Sequence, residues 1–559
     1  MDHKRNLLIA ALAVVSYFLL LAWNKDFPST VVSAESTSAA TVVTPATTAS
    51  PVADLPSAPV TQGEAGAEPL QGAKLATVEK PVLISVSTPI QKVMIDPVGG
   101  DIVSLSLPKH PTSLDTPAEP FPLLRQDNTG VYVAQSGLVG RNGVDGSSKG
   151  RPVYHSTQSA YSVESGELTV DLEMATDSMV EITKRFVFSS TDYLVRQQII
   201  VKNHSDAEWR AAVFGQLKRD SAPDPSGQSG VRLNNFLGAV LTSADEPYIK
   251  IKLDDMEKKR EPVSGSGGWI GFSQHYFLSA WIPSANEVNQ LSVRKNEKGE
   301  HLMGFVGAEQ VIPAGQTHTF ESALWAGPKN QDRLEEIAPN LGLTIDYGKL
   351  WFVAYPIFQL LSWINNMVGN YGVAIILLTI VIRTLFYPLS AKQFASAAGM
   401  RKLQPKMEEL KNRYGEDKQK LMQAQMELWK KEGVSPFSGC LPMLLQMPVF
   451  LGIYWVLNES VELRQAPFYL WYRDLSVIDP YFLLPLVLGV VNYIQQHLNP
   501  MPSSDPVQAR MMKFMPVAFT IFFLWLPAGL VLYYFANALL GIFQQAFFNA
   551  RYKPKTVSD

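Results

Sequence analysis

Residues 372–389 read GVAIILLTIVIRTLFYPL, an apolar run that contains one charged residue, Arg383. A guanidinium at membrane depth costs at least about 2.5 kcal/mol on insertion scales, so it needs a counter-charge, water or an interface within reach. Acidic residues are absent from residues 433–458, 481–504 and 506–558. The later apolar segments therefore offer Arg383 no acid, which leaves water, snorkelling toward the interface, or an acid supplied by another molecule.

Further apolar segments flank this run on both sides. Residues 7–23 (LLIAALAVVSYFLLLAW) follow Lys4 and Arg5, which is typical of an uncleaved signal anchor with a cytoplasmic N-terminus. In the C-terminal part, segments long enough to span a bilayer lie at 372–389 and at about 440–457, 481–498, 514–526 and 529–548. Together they predict six transmembrane helices.

Positive charge predicts the orientation. Ten Lys and Arg residues lie between residues 392 and 431, so this loop is expected in the cytoplasm. Counting spans from there places both termini in the cytoplasm and the large polar middle of the chain outside it.

The middle of the chain has the alternation of β-strands, as in residues 167–174 (ELTVDLEM). Glycine and proline clusters at 220–230 and 261–268 separate such runs, which predicts a large antiparallel β-sandwich. The aromatic stretch 268–283 (GWIGFSQHYFLSAWIP) is either a core strand or a surface that packs on the membrane domain.

Enzymatic and nucleic-acid functions find no support in the sequence. The histidines form no HxH, HExxH or Cys/His spacing, and no glycine-rich phosphate loop is present, so we expect no catalysis, no cofactor and no metal site. The formal net charge of −3 argues against a nucleic-acid binder.

The predicted division of the chain has eight parts. They are a signal-anchor helix (1–25), a flexible Ser/Thr/Ala/Pro-rich linker (26–80), the β-domain (81–340), an amphipathic interfacial helix (341–370), transmembrane helix 2 (371–391), a cytoplasmic helical hairpin (392–435), transmembrane helices 3 to 6 (436–549) and a short basic tail (550–559).

Polar side chains recur at helical spacing in the membrane segments. Thr379 lies one turn before Arg383, and the last span carries Tyr534, Asn537 and either Gln544 or Gln545. Such stripes are often helix–helix hydrogen bonds, but an unpaired Arg383 favours a wet groove open to the cytoplasm.

The cytoplasmic loop predicts two helices. One apolar stripe is formed by Leu403, Met407, Leu410 and Tyr414, and another by Met422, Met426 and Trp429 beyond a stop at Gly415. The hairpin either packs on itself or provides a docking surface.

Three segments carry a family resemblance: residues 439–457 (GCLPMLLQMPVFLGIYWVL), 462–468 (ELRQAPF) and 514–534 (FMPVAFTIFFLWLPAGLVLYY). They resemble the YidC-type membrane protein insertases of the YidC/Oxa/Alb family, in the Gram-negative form with a large periplasmic domain. The resemblance implies a polytopic α-helical protein of the inner membrane with a five-helix insertase core and a periplasmic all-β supersandwich domain. It also implies a groove arginine at Arg383 and a cytoplasmic hairpin at about 392–432.

The implied function is insertion, and assistance in folding, of nascent inner-membrane proteins without nucleotide hydrolysis. The implied partners are these clients, the Sec translocon with its accessory subunits, the ribosome and membrane lipids. The tail carries only three basic residues beyond Asn549, which argues against ribosome contact through the tail.

The expected site residues form three groups. The substrate groove comprises Arg383, Thr379, Gln446, Asn492, Gln495, Tyr534, Asn537 and Gln545; the apolar face along which clients slide comprises Met443, Met447, Phe450 and Tyr454; the docking hairpin presents Arg401, Lys402, Lys406, Lys411 and Arg413.

Two alternatives belong to other classes. A polytopic secondary transporter with an extracytoplasmic binding domain would also have polar membrane helices, but it usually has two repeated halves, and no such repeat is visible. A membrane-anchored polysaccharide enzyme would need paired carboxylates that converge on a groove.

Overall fold

A computed structural model describes residues 54–56, 82–128, 130–146, 150–174, 179–225, 236–243, 246–258, 261–415, 417–432, 441–498 and 506–551. These residues belong to one compact unit, Pro51–Asp559. The predicted anchor, most of the predicted linker and nearly all of the predicted tail lie outside the described residues.

The first part of the described chain is built from β-strands. They are β1 Ile84–Ser87, β2 Lys92–Asp96, β3 Asp101–Pro111, β4 Pro120–Asp127, β5 Gly130–Val139, β6 Tyr154–His155, β7 Ala160–Ser162, β8 Glu167–Met174, β9 Val180–Ser189, β10 Leu194–Asn203, β11 Trp209–Arg219, β12 Gly238–Leu241, β13 Ile249–Lys252, β14 Val263–Ser266, β15 Ile270–Ser273, β16 Phe277–Pro283, β17 Val288–Lys295, β18 His301–Val306, β19 Gln310–Ile312 and β20 Thr317–Pro328.

These strands form two large sheets. One has the order β14-β17-β18-β11-β5-β4-β3-β2-β1-β7, with β19 also paired to β11, and the other has the order β13-β12-β15-β16-β20-β10-β9-β8-β6. A shared core takes Leu105 and Phe121 from the first sheet and Val170 and Phe186 from the second. The two sheets therefore face each other as a sandwich, as the alternation in β8 predicts.

The aromatic stretch 268–283 fits both of its predicted roles. Its strands β15 and β16 are buried, with Trp269, Phe272 and Trp281 in the core. In the turn between them, His275 Nε2 lies 2.8 Å from the carbonyl oxygen of Asn458 in the helical part of the chain.

The second part of the described chain is helical. Its elements, with one short helix at the end of the β-domain, are α1 Gln331–Ile337, α2 Trp351–Val368, α3 Tyr371–Leu385, α4 Tyr387–Tyr414, α5 Lys418–Lys431, α6 Leu441–Glu459, α7 Leu483–Leu498, α8 Pro506–Phe523 and α9 Ala528–Arg551. Helices α2, α3, α6, α7 and α9 share one apolar core, which contains Leu361, Leu378, Val456, Leu488 and Val531.

The apolar run around Arg383 is not one straight helix. Helix α3 ends at Leu385, and α4 begins at Tyr387 after a bend of 64°. Pro388 lies in the first turn of α4, where its missing N–H is tolerated, and a proline there disfavours continuation of the preceding helix. The predicted boundary at residue 391 between span and hairpin therefore lies inside α4.

The predicted count of six transmembrane helices is not confirmed. Among the described residues, one helix, Ala528–Phe548, is long and apolar enough to cross a membrane, and the bent pair Tyr371–Leu385 and Tyr387–Ser396 passes the same criterion as a single span. Phe514–Phe523 is apolar but shorter. Internal prolines such as Pro448 and Pro516, and amides in α6 and α7, interrupt the other candidates.

The β-domain and the helical part are joined by a buried arginine. Arg464 Nη2 donates to the carbonyl oxygen of Pro111 at 2.8 Å, and Gln465 Nε2 donates to the same oxygen at 2.8 Å. The guanidinium carbon of Arg464 lies 5.6 Å from the ring centre of Phe121 and 5.5 Å from that of Phe277. This desolvated cation–π contact fixes the β-domain against the segment that follows α6.

Candidate functional site

Arg383 lies on α3 and faces α9. Its Nε donates to Asn537 Oδ1 at 2.6 Å, and its Nη2 donates to the main-chain oxygen of Asn537 at 2.9 Å. Gln544, two turns further along α9, donates to the main-chain oxygen of Arg383 at 3.2 Å and accepts a longer bond, 3.5 Å, from Nη1. The guanidinium is therefore held as a fork by neutral oxygens, which satisfy its donors without neutralising its charge.

Gly541 makes this close approach possible. A Cβ at this position would lie 3.1 Å from Arg383 Nη2 and 3.0 Å from Gln495 Nε2. Arg383 from α3 and Gln495 from α7 thus reach the same point of α9, which has no side chain there. Helices α3, α7 and α9 thus surround a polar centre, formed by Arg383, Gln495, Asn537 and Gln544, inside the otherwise apolar helical part.

The other predicted groove residues are less directly involved. Thr379 is buried, and its hydroxyl donates to the carbonyl oxygen of Ile375 at 2.6 Å, within its own helix. The hydroxyl of Tyr534 is buried without a hydrogen-bond partner in the described part of the chain. Gln446 bonds the Tyr533 hydroxyl.

Two further groove predictions concern amides on α7 and α9. Asn492 is half-buried on α7. Gln545 is buried and has interactions of its own, whereas its neighbour Gln544 is the one that meets Arg383. The sequence left open which of the two contacts Arg383, because the spacing allows either and adjacent residues point about 100° apart on a helix; the contact is made by Gln544. The role of Gly541 was not predicted, although its position between Asn537 and Gln544 in the polar stripe indicates a place where another helix can come close.

The predicted sliding face changes character along α6. Met447 is 43% exposed, Phe450 is half-buried with its ring centre 5.1 Å from that of Tyr534, and Tyr454 is buried. The side chain of Met443 lies outside the described residues. The structure thus brings Phe450 next to Tyr534 and leaves only part of the face accessible.

Among the described side chains of the hairpin of α4 and α5, an ion pair joins Lys406 Nζ to Glu432 at 2.6 Å. Leu403 and Met407 are buried, as their stripe predicts, whereas Met422 and Met426 are 60% and 51% exposed. Two members of the second stripe therefore face outward, while its third member, Trp429, is half-buried. Of the predicted docking residues, Lys411 and Arg413 are exposed, and the side chains of Arg401 and Lys402 lie outside the described residues.

No group of His, Cys, Asp and Glu suited to hold a metal ion is found in the part of the chain that the structure describes.

Comparison with known proteins identifies the family. Two family models match the chain: YidC periplasmic domain over residues 83–360, and 60Kd inner membrane protein over residues 363–555. A membrane protein insertase YidC of Pseudomonas putida (strain GB-1) is 46% identical over an alignment of 564 residues that covers 100% of this chain and 99% of that protein. The chain belongs to the YidC family.

A second relative agrees with this assignment. The YidC of Azotobacter vinelandii is 47% identical over 552 residues, which cover 98% of both chains. A crystal structure of an active YidC insertase with its first transmembrane domain resolved is 19% identical, covers 85% of this chain and 94% of that chain, and aligns with a TM-score of 0.38. The predicted family is confirmed, with a periplasmic β-rich domain and a helical core, and the transporter alternative finds no support.

Proposed function

We propose that this YidC-family chain is a membrane protein insertase that inserts nascent inner-membrane proteins and helps them fold. The observation that carries the proposal is its full-length relation to proteins named membrane protein insertase YidC. The forked arginine inside an apolar helical unit supplies a physical basis for the activity. We place the β-domain in the periplasm and both termini in the cytoplasm, in a multi-pass inner-membrane protein.

The polar centre around Arg383 would receive the hydrophilic flank of a client. In hydrocarbon each unsatisfied backbone polar group costs several kcal/mol, so a flank crosses more easily where hydrogen-bond partners line its path. Gln495, Asn537 and Gln544 offer such partners near Arg383, and the uncompensated charge attracts acidic flanks. We include Thr379, Gln446, Asn492, Tyr534 and Gln545 in this groove as residues that shape its walls.

Apolar client segments would enter along α6, past Met443, Met447, Phe450 and Tyr454. The exposed Met422 and Met426 on α5, with the exposed Lys411 and Arg413 on α4, suit a docking surface for varied apolar and acidic segments. We propose that the hairpin meets clients before the groove does.

The remaining partners and the energy source follow from the family. The Sec translocon with its accessory subunits, the ribosome and membrane lipids are proposed partners. The chain carries no nucleotide-binding motif, and we propose that it is not an enzyme: the transfer of the client's apolar segment into lipid would drive insertion.

Depletion and add-back test the function. Inner-membrane vesicles depleted of the protein should insert a small single-span protein poorly, as measured by a protease-protected fragment, and addition of the purified full-length chain in liposomes should restore insertion. A chain inactivated by heat is the matched control. Normal insertion in depleted vesicles would overturn the proposal, and solute uptake that depends on the chain would favour a transporter.

A further inference from the structure

A second cleft lies in the helical part, separate from the polar centre. It has a volume of about 420 Å³, and its lining comes from α3, α7, α9 and the loop that precedes α7. Ile376 and Ile380 contribute from α3, Val487 from α7, and Leu532 and Ala536 from α9. All of the described residues that line it are aliphatic or aromatic. We propose that this cleft binds one acyl chain of a phospholipid from the periplasmic leaflet.

The cleft and the polar centre use different faces of α9. Ala536 and Leu540 line the cleft, while Asn537 and Gln544 bond Arg383. At 100° per residue, Leu532, Ala536 and Leu540 form a stripe along the helix that is displaced from the Asn537 stripe. An occupant of the cleft therefore need not touch the polar centre.

The chemistry of the cleft excludes water as its stable occupant. A bound water needs two to four polar partners, and apolar cavities stay dry. An empty apolar space of this size would forfeit the dispersion contacts of its lining. A bilayer surrounds the helices with hydrocarbon chains, which fill such a space without loss of hydrogen bonds.

The size of the cleft distinguishes an acyl chain from a helix. A membrane-spanning helix is about 30 Å long and 10–12 Å wide with its side chains, so its volume is several times that of the cleft. A single hydrocarbon chain is thin enough to lie between α3 and α7 along α9. The cleft therefore suits a lipid chain better than a transmembrane segment of a client or of this chain.

The mouth of the cleft suits a lipid head group. Trp471 and Tyr472, in the loop that precedes α7, line the cleft, and their polar atoms donate to the buried Asp479, with bonds of 3.2 Å and 3.0 Å. Leu470, at the tip of the loop, is 82% exposed and has a φ of 64°, a strained conformation for leucine. Exposed Arg473 follows Tyr472 in the chain, outside the lining of the cleft, and can bind a phosphate.

The loop also indicates on which side of the membrane the cleft opens. It follows Arg464, which bonds the β-domain, so the mouth lies on the β-domain side of the helical part. Aromatic residues with polar tips concentrate at the membrane interface. The inference rests on the proposed placement of the β-domain in the periplasm, and it concerns lipid binding rather than insertion.

Photolabelling of the full-length chain tests the inference. The protein is placed in nanodiscs that contain a small fraction of phospholipid with a diazirine in the middle of one acyl chain, and labelled peptides are mapped by mass spectrometry. We expect the peptides that contain Ile380, Val487 and Ala536 to be labelled about tenfold more than the exposed face of α8. The labelling should saturate at one lipid per protein.

A matched pair of variants sharpens the test. Ala536→Phe places a ring in the cleft and should reduce its labelling to the level of α8, whereas Ala518→Phe on the exposed face of α8 should leave it unchanged. Equal labelling of both faces in the unmodified chain would overturn the inference, whether or not the variant folds. Cross-links from the cleft to residues 7–23 or to a stalled client, in place of lipid, would also overturn it. Because insertion is not the readout, failure here leaves the proposed function intact.

Discussion

Replacement of Arg383 by Gln removes the charge at the polar centre but keeps an amide that can donate to Asn537. We expect Arg383→Gln to slow the insertion of a client with an acidic flank much more than that of the same client with Asn and Gln in place of its acids. Arg383→Lys keeps the charge and should preserve the ratio between the two clients, although it loses one arm of the fork.

The size of the effect follows from Coulomb's law. The partners of the guanidinium are neutral, so its full charge acts on a client carboxylate. At a separation of about 6 Å, with one bridging water, and an effective dielectric constant of about 20, the attraction is about 3 kcal/mol. This corresponds to roughly a hundredfold in rate, and a wetter cleft with a dielectric constant of about 40 would reduce it to roughly tenfold.

The assay uses the purified full-length variants in liposomes and follows a protease-protected client fragment over time. Asn537→Ala is the matched control, because it removes the Nε arm of the fork, keeps the arm to the main-chain oxygen and leaves the charge in place. If Arg383→Gln slows both clients by the same factor, and Asn537→Ala does likewise, then Arg383 serves to fasten α3 to α9. The electrostatic reasoning would be refuted by that outcome.

Three further predictions concern packing and pH. Gly541→Val should displace the guanidinium of Arg383 and destabilise the helical part by about 1–3 kcal/mol, measured by thermal unfolding in detergent, while Gly541→Ala should have a smaller effect. Arg464→Ala should cost about 2–4 kcal/mol, since it removes a desolvated cation–π contact and a hydrogen bond; unchanged unfolding of the full chain would contradict this. Burial, with nearby positive charges, lowers the pKa of His110 from 6.5 to about 4, so the folded state holds this ring neutral. The stability that this provides is complete above about pH 6.5 and is lost as the pH falls toward 4. In a pH series of urea unfolding, His110→Gln should therefore reduce the dependence of the unfolding free energy on pH between about 4 and 6.5. His155→Gln, at an exposed position, should leave that dependence unchanged.

Much of the β-domain could be predicted from local pattern. The alternation in 167–174 places Val170 and Leu172 in the core, as the period of two requires. The order of strands in the two sheets could not be predicted, because neighbours such as β10 and β20 are far apart in sequence. Their pairing depends on side-chain packing across the sandwich, which period alone does not specify.

The hairpin shows where periodicity misleads. Leu403 and Met407 of the first stripe are buried, but Met422 and Met426 of the equally regular second stripe face outward, and only Trp429 of that stripe is half-buried. An apolar stripe identifies the face of a helix and does not identify what covers that face. Only the structure therefore shows that Met422 and Met426 are exposed.

By itself the sequence determined the β-rich middle, the apolar helices and the unpaired charge in residues 372–389, because these depend on composition and on spacing along one element; the family followed from the resemblance of three segments to known insertases. Only the tertiary structure decided that Asn537 and Gln544 hold Arg383, that Gly541 lets three helices meet there, and that α3 ends at Leu385. The physical reason is that a helix presents a new direction every 100°, so contacts between elements depend on their relative rotation and depth. Those quantities are set by the packing of the whole helical core.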